Sequence, residues 1–105
     1  MASEQLRAKW QQLSLKEQLG NLGSEISRTM HWLNKDRQIF DNAVNRALEL
    51  FDLTLEDRRW HKRHQEIARA REVGCDIIFG DNSYQSSLAD LLVYFNQFAR
   101  AARRI

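Results

Sequence analysis

The chain of 105 residues contains no proline, four glycines and one cysteine. Proline and glycine interrupt helices, so their scarcity favours long helices joined by short turns. The abundance of Leu, Ala, Glu, Gln, Lys and Arg points the same way, and a chain of this length forms one core. We therefore predict an all-α fold, a single domain over residues 1–105 that is a compact antiparallel bundle of four long or medium helices preceded by a short N-terminal helix.

The lone cysteine and the absence of long apolar runs restrict the compartment and the chemistry. With Cys75 alone an internal disulfide is excluded, and neither a C-x-x-C pair nor a cluster of Cys and His at metal-ligand spacing occurs. No apolar run approaches the roughly 20 residues that span a bilayer, and the N-terminal segment MASEQLRAKWQQLSLKEQ lacks the apolar core of a signal peptide. We expect a cytoplasmic protein without metal, cofactor or membrane contact.

The net charge of +2 conceals two oppositely charged segments. Residues 36–57 carry six acidic and two basic side chains, whereas residues 58–71, here called the basic segment, carry six basic side chains and one acidic. This asymmetry suits a basic face that contacts an anionic partner such as RNA, and it suits equally two helices, or two copies of the chain, that attract each other. The basic side chains are those of Arg58, Arg59, Lys62, Arg63, Arg69 and Arg71.

Two helix starts and two glycines organise the first half of the chain. Ser14 and Glu17 form the S-x-x-E pattern of a capping box, and N-K-D at residues 34–36 supplies a turn and an N-cap for the next helix. Gly20 and Gly23 fall inside the helix that Ser14 starts, where glycine costs about 1 kcal/mol relative to alanine. We expect both glycines to serve helix packing, through the close approach of another helix or of a second copy of the chain.

One further start signal and one loop divide the second half. T-L-E-D at residues 54–57 matches a capping-box pattern, so we predict a helix that starts near residue 55 and carries the basic segment in its first turns. G-D-N-S-Y-Q-S-S at residues 80–87 has the composition of a loop, in which the glycine stops the preceding helix. Ser86 or Ser87 is the expected cap of the last helix.

The segment RRWHKRH at residues 58–64 contains the one motif that suggests catalysis. In it Arg59 and His64 enclose four residues, and this Arg-x4-His spacing resembles the motif of the HEPN family (higher eukaryotes and prokaryotes nucleotide-binding), whose members are small all-α proteins. The resemblance implies a metal-independent ribonuclease, often a homodimer and often the toxin of a toxin–antitoxin pair. It assigns proton transfer at the ribose 2′-hydroxyl to His64, and stabilisation of the charged phosphorane to Arg59 or Arg58.

The same segment also has interpretations without catalysis. The helical spacing of Trp60, His64 and Ile67 favours a half-buried His64 beside the indole, with the arginines directed into water. RNA or DNA binding without cleavage is a further interpretation, because the cations populate neighbouring helical rows and Trp60 offers a surface for base stacking.

Two functions therefore stay open on the sequence. The first is a small helical interaction module or accessory subunit that self-associates, through the glycine-bearing helix or exposed aromatic residues, and contacts a protein partner with its basic face. The second is the HEPN-like ribonuclease. A separate resemblance covers most of the chain and implies no site: QLGNLGSEISR, RALELFDLTLED and REVGCD followed by GDNSY are similar to segments of a group of small prokaryotic helical proteins.

Overall fold

The computed structural model describes residues 4–79 and 84–102 of the chain. These residues form five α-helices and one 3₁₀ segment, without any strand, which confirms the prediction of an all-α bundle. None of these helices has the length and apolar character needed to cross a membrane. The elements are α1 (Glu4–Gln11), α2 (Leu15–Trp32), α3 (Arg37–Leu55), the 3₁₀ segment (Arg58–Arg63), α4 (His64–Phe79) and α5 (Tyr84–Ala102).

Helix α2 is the central element of the bundle and starts as its sequence predicts. The Ser14 hydroxyl accepts a hydrogen bond from the backbone N–H of Glu17 (3.2 Å), and the Glu17 carboxylate accepts one from the backbone N–H of Ser14 (3.0 Å). This reciprocal bonding is a capping box, and the hydrogen bond from the Ser14 backbone holds the pKa of Glu17 below its usual value. The helix packs against both α3 and α5 through an apolar stripe of Leu15, Leu19, Leu22 and Ile26.

Helix α3 also begins where the sequence predicts. Asn34 adopts a positive φ of 66° in the turn after α2, a conformation that asparagine tolerates better than most residues. The Asp36 carboxylate then accepts a hydrogen bond from the backbone N–H of Ile39 (3.1 Å) and caps the helix. The apolar face of α3 packs with residues of α5 into two clusters of buried side chains. Phe40 and Val44 belong to one cluster, and Phe51 belongs to the other.

The predicted helix start near residue 55 is wrong. Thr54 lies inside α3, where its hydroxyl donates to the Leu50 carbonyl (3.0 Å) and so cannot cap a new helix. Helix α3 ends at Leu55, and Asp57 caps a 3₁₀ segment instead of an α-helix. Residues 58–63 of the basic segment therefore form a 3₁₀ turn, and α4 begins only at His64.

The boundary between α4 and α5 also differs from the expectation. Helix α5 begins at Tyr84, so the prediction that Ser86 or Ser87 caps it is wrong, since both serines fall within its first turn. The proposed stop at Gly80 lies outside the described residues. A helix that begins inside a run of turn-forming residues leaves no local signal at its first residue.

The two glycines of α2 have different surroundings. Gly23 is buried against α5, where a Cβ atom would lie 3.6 Å from Cδ1 of Phe95 and 3.7 Å from Oδ1 of Asn96, distances of ordinary contact. Gly20 is exposed, and a Cβ atom there would meet no atom of the described residues within 4 Å. Packing at Gly20 stays a prediction that requires a second molecule.

Replacing Gly20 with alanine is expected to raise the free energy of unfolding by about 0.5–1 kcal/mol, because alanine has the higher helix propensity and nothing crowds its methyl group. Urea denaturation followed by circular dichroism measures this change, with Gly23→Ala as the variant at a buried position. A loss of stability at position 20 that grows with protein concentration would show instead that Gly20 packs against a second copy.

Candidate functional site: a polar hub beneath the basic segment

A network of buried polar side chains, here called the polar hub, connects the basic segment to the core. Every buried side-chain nitrogen and oxygen in the described part of the chain has a hydrogen-bond partner. The hub fastens the 3₁₀ segment to three helices and so determines which of the cations face outward. Its members are Trp10, Gln18, Thr54, Asp57, Arg59 and Trp60.

Gln18 is the centre of the hub and has no exposed surface (0%). Its amide nitrogen donates to the carbonyl of Trp10 (2.8 Å) and to Oδ2 of Asp57 (3.2 Å). Its amide oxygen accepts the indole N–H of Trp60 (2.9 Å). Because both the nitrogen and the oxygen of one amide are used, a single side chain of α2 holds the end of α1, the cap of the 3₁₀ segment at Asp57 and the Trp60 indole within that segment.

The hub also connects α1 to α3. The indole N–H of Trp10 donates to the hydroxyl of Thr54 (2.9 Å), which itself donates to a backbone carbonyl one turn earlier. At the surface nearby, Arg7 of α1 forms an ion pair with Glu56, the C-cap of α3 (2.5 Å). The short first helix is therefore attached to α3 by one buried hydrogen bond and one exposed ion pair, in addition to the buried hydrogen bond from Gln18 of α2.

Asp57 and Arg59 form the charged part of the hub. The Asp57 carboxylate is nearly buried and accepts the Arg59 backbone N–H (3.1 Å), Nε of Arg59 (3.0 Å) and Nη2 of Arg59 (2.7 Å). The same Nη2 donates to the carbonyl of Leu13 (2.8 Å), and the guanidinium stacks on the Trp60 ring at 4.4 Å. Arg59 is thus bound on several sides by its own chain.

The surroundings of Asp57 shift its pKa in two opposing directions. Burial raises the pKa of this carboxyl, whereas hydrogen bonds from Arg59 and Gln18, together with the positive charge of Arg59, lower it by more. The net result is a pKa below the usual value for aspartate, and the pKa of Arg59 is raised in return, chiefly by its hydrogen bond to Asp57. Both groups are therefore charged at neutral pH.

The six predicted basic residues fall into two groups. Three are paired within the chain: Arg59 with Asp57, Arg63 with Glu66 (3.7 Å) and Arg71 with Asp52 (2.9 Å). The acidic end of α3 therefore neutralises part of the basic segment. The other three, Arg58, Lys62 and Arg69, are exposed and form no hydrogen bond or ion pair with any described residue.

The motif residues Arg59 and His64 differ in what surrounds them. His64 is the first residue of α4 and is exposed, so the expectation of a half-buried histidine beside the indole is wrong. The 3₁₀ segment has a different angular spacing from an α-helix, and Trp60, at φ −104° and ψ 23°, breaks even that regularity. The indole is directed to Gln18 instead.

A surface groove of about 610 Å³ lies at the other end of the bundle, between the turn after α2 and the end of α4. Three of its four charged lining residues already serve the local structure, since Asp36 caps α3 and Arg37 pairs with Asp41 (3.2 Å); the fourth, Lys35, is exposed. Among the described residues, no three His, Cys, Asp or Glu side chains are grouped so that they could hold a metal ion. The basic segment remains the candidate site.

Sequence reasoning missed the centre of this site. Gln18 lies on the apolar stripe of α2, next to Leu19 and one turn before Leu22, and this position was the available signal for a buried amide. Trp10 and Thr54 carried no comparable signal, because their hydrogen bond joins residues 44 positions apart.

The fold and the site together define a small all-α bundle whose basic turn is fixed by a buried polar hub. Comparison of the chain with protein-family models, with curated proteins and with solved structures finds no match. The function is therefore argued from the chemistry of the site.

Proposed function

We propose that the chain is a small helical interaction module, an accessory subunit that associates with itself and presents its basic segment to an acidic surface of a protein partner. The observation that carries this proposal is the separation of the cations: half are paired internally, and Arg58, Lys62 and Arg69 are exposed without a partner among the described residues. The single cysteine, Cys75, is free, which favours the cytoplasm as the place of action.

The polar hub makes the exposed cations suitable for recognition. Arg58 and Lys62 lie on a turn that is anchored at two points, by the Asp57 carboxylate before it and by the Trp60 indole within it. A segment that is already ordered loses little conformational entropy on binding. Unpaired cations on such a segment attract an acidic surface at long range and determine its orientation.

The test compares Lys62→Glu with Lys35→Glu, an exposed lysine in the turn at the opposite end of α2. The probe is a fluorescent polyglutamate peptide, and anisotropy is read at low and high salt. We expect Lys62→Glu to weaken binding about tenfold, equivalent to about 1.4 kcal/mol, and Lys35→Glu to have little effect. Equal losses in both variants would contradict a localised basic face, and tighter binding of poly(U) RNA than of the peptide would redirect the proposal to nucleic acid.

A HEPN-like ribonuclease is a second proposal, and one observation changes which arginine it would use. Arg58 and His64 are both exposed and without a partner among the described residues, whereas Arg59 is occupied by Asp57 and Leu13. The arginine of such an enzyme would therefore be Arg58. Incubation with single-stranded RNA and a chelator tests it: cleavage should be lost in Arg58→Ala and His64→Ala and retained in His61→Ala. Absence of cleavage by the unaltered protein rejects the proposal.

A further inference from the structure

The outward face of α4 carries a charge pattern that is complementary to itself. We propose that two copies of the chain associate through this face, with their α4 helices antiparallel and with Arg69 of each copy opposite Asp76 of the other. The inference rests on the self-association in the proposed function and names the surface responsible for it.

The face is defined by helical spacing. Its members recur at intervals of three and four residues, so they lie along one side of α4, and all of them are exposed. The opposite side of the helix is buried through Ile67 and Ala70 and packs against α3 and α5. The face consists of Gln65, Arg69, Glu72, Val73, Asp76 and Phe79.

The charges on this face are unpaired, although other charges of α4 are paired. Arg71 reaches Asp52 of α3, but neither Arg69 nor Glu72 nor Asp76 forms an ion pair with any described residue. Arg69 and Glu72 are one turn apart, a spacing at which opposite charges often pair, and still do not approach within 4.0 Å. The face is thus positive in its first half and negative in its second.

Twofold symmetry converts this pattern into an interface. In a symmetric dimer residue i of one copy contacts residue j of the other, and residue j then contacts residue i. An axis that passes between Glu72 and Val73 lies midway between Arg69 and Asp76 along the helix. An antiparallel pair therefore makes the same Arg69–Asp76 contact twice, against one approach of the two Glu72 side chains beside the axis. A parallel pair instead places every charge of one copy beside the same charge of the other.

The apolar members of the face supply the remaining contact. Val73, next to the axis, is 41% exposed, and Phe79 near the end of the helix is 68% exposed. A single pair of helices buries less than the roughly 1,200 Å² typical of a stable interface, so the dimer should be weak and sensitive to salt. Arg69 then serves the contact between copies, and Arg58 and Lys62 stay available for the acidic partner.

The test is a charge exchange between copies, measured by sedimentation equilibrium over a range of concentrations. Arg69→Glu and Asp76→Lys each place like charges opposite one another at two symmetric positions, so each variant alone should dimerise at least about tenfold more weakly. An equimolar mixture of the two variants restores opposite charges at both positions and should form a one-to-one heterodimer. The double variant Arg69→Glu/Asp76→Lys should recover the original affinity.

The control is Lys9→Glu, which changes an exposed charge beside the groove between α1, α2 and α3 and should leave the dimer unchanged. Circular dichroism establishes that all variants are folded. A dimer that is indifferent to both charge reversals, or that the mixture fails to restore, overturns the α4 interface while self-association stands. A protein that is monomeric at every concentration overturns both the α4 interface and self-association. The polyglutamate experiment then tests the binding role of the basic segment independently.

Discussion

Replacing Gln18 with glutamate should lower the free energy of unfolding by about 4 kcal/mol at pH 7. The amide nitrogen of Gln18 donates to Oδ2 of Asp57 at 3.2 Å and to the Trp10 carbonyl at 2.8 Å. A carboxylate there removes both donors and places a second negative charge beside Asp57 in a position with no exposed surface. Two carboxylates at such a distance cannot both stay ionised without a large cost.

The effect of this substitution should depend on pH. Burial and the charge of Asp57 both raise the pKa of the introduced carboxyl in the folded protein above its value in the unfolded chain. A group whose pKa is raised by folding is least destabilising when protonated, so the lost stability should return progressively as the pH falls from 7 towards 5.

Urea denaturation at several pH values measures this dependence, and Gln18→Met is the matched control. Methionine removes the hydrogen bonds without adding charge, so we expect a loss of about 2 kcal/mol that does not vary between pH 5 and 7. If Gln18→Glu is as stable as Gln18→Met at pH 7, the amide does not have the position in the hub described above.

Removal of the Asp57 side chain is the second large perturbation, and Asp57→Ala should lower the free energy of unfolding by about 3 kcal/mol. The substitution removes the cap of the 3₁₀ segment, the partner of Arg59 and one acceptor of Gln18. The Arg59 side chain is 43% exposed, so water compensates part of its lost pairing and the cost stays below that of a fully buried pair. The melting temperature should fall by more than about 10 °C.

The contribution of Asp57 should disappear in acid. Its pKa is lower in the folded protein than in the unfolded chain, so its stabilisation is complete above the unfolded pKa of about 4 and is lost as the pH falls through the lower folded value. Asp57→Asn keeps an oxygen for the cap and removes the charge. The difference between the unaltered protein and this variant should be constant from pH 5 to 7 and should shrink below about pH 4, and a difference that persists in acid would contradict the assigned ion pair.

Local features of the fold could be predicted from sequence, because short-range hydrogen bonds determine them. Ser14 and Asp36 cap helices through backbone groups three residues away, so their sequence patterns contain the whole interaction. The same reasoning failed at Thr54, which lies inside α3 and whose hydroxyl accepts a hydrogen bond from the indole N–H of Trp10 in another helix. A capping pattern specifies a helix start only where no tertiary partner competes for the side chain.

The candidate site shows the same limit. Its excess of positive charge is visible in composition, but the division of the cations into paired and unpaired residues is not. Arg58 and Arg59 are adjacent in sequence, and only the fold directs one to Asp57 and the other to solvent. The acidic end of α3 and the basic segment also pair within one chain through Asp52 and Arg71, one of the arrangements that the charge asymmetry left open.

The most direct test of this account is a double-mutant cycle that measures how strongly Asp57 is coupled to each of the two adjacent arginines. Unfolding free energies are compared for Asp57→Ala combined with Arg59→Ala and for Asp57→Ala combined with Arg58→Ala. The account predicts a coupling energy of about 1–2 kcal/mol for Arg59 and one close to zero for Arg58. Equal coupling, or the larger value at Arg58, would contradict the claim that Arg59 belongs to the fold and Arg58 to the binding surface.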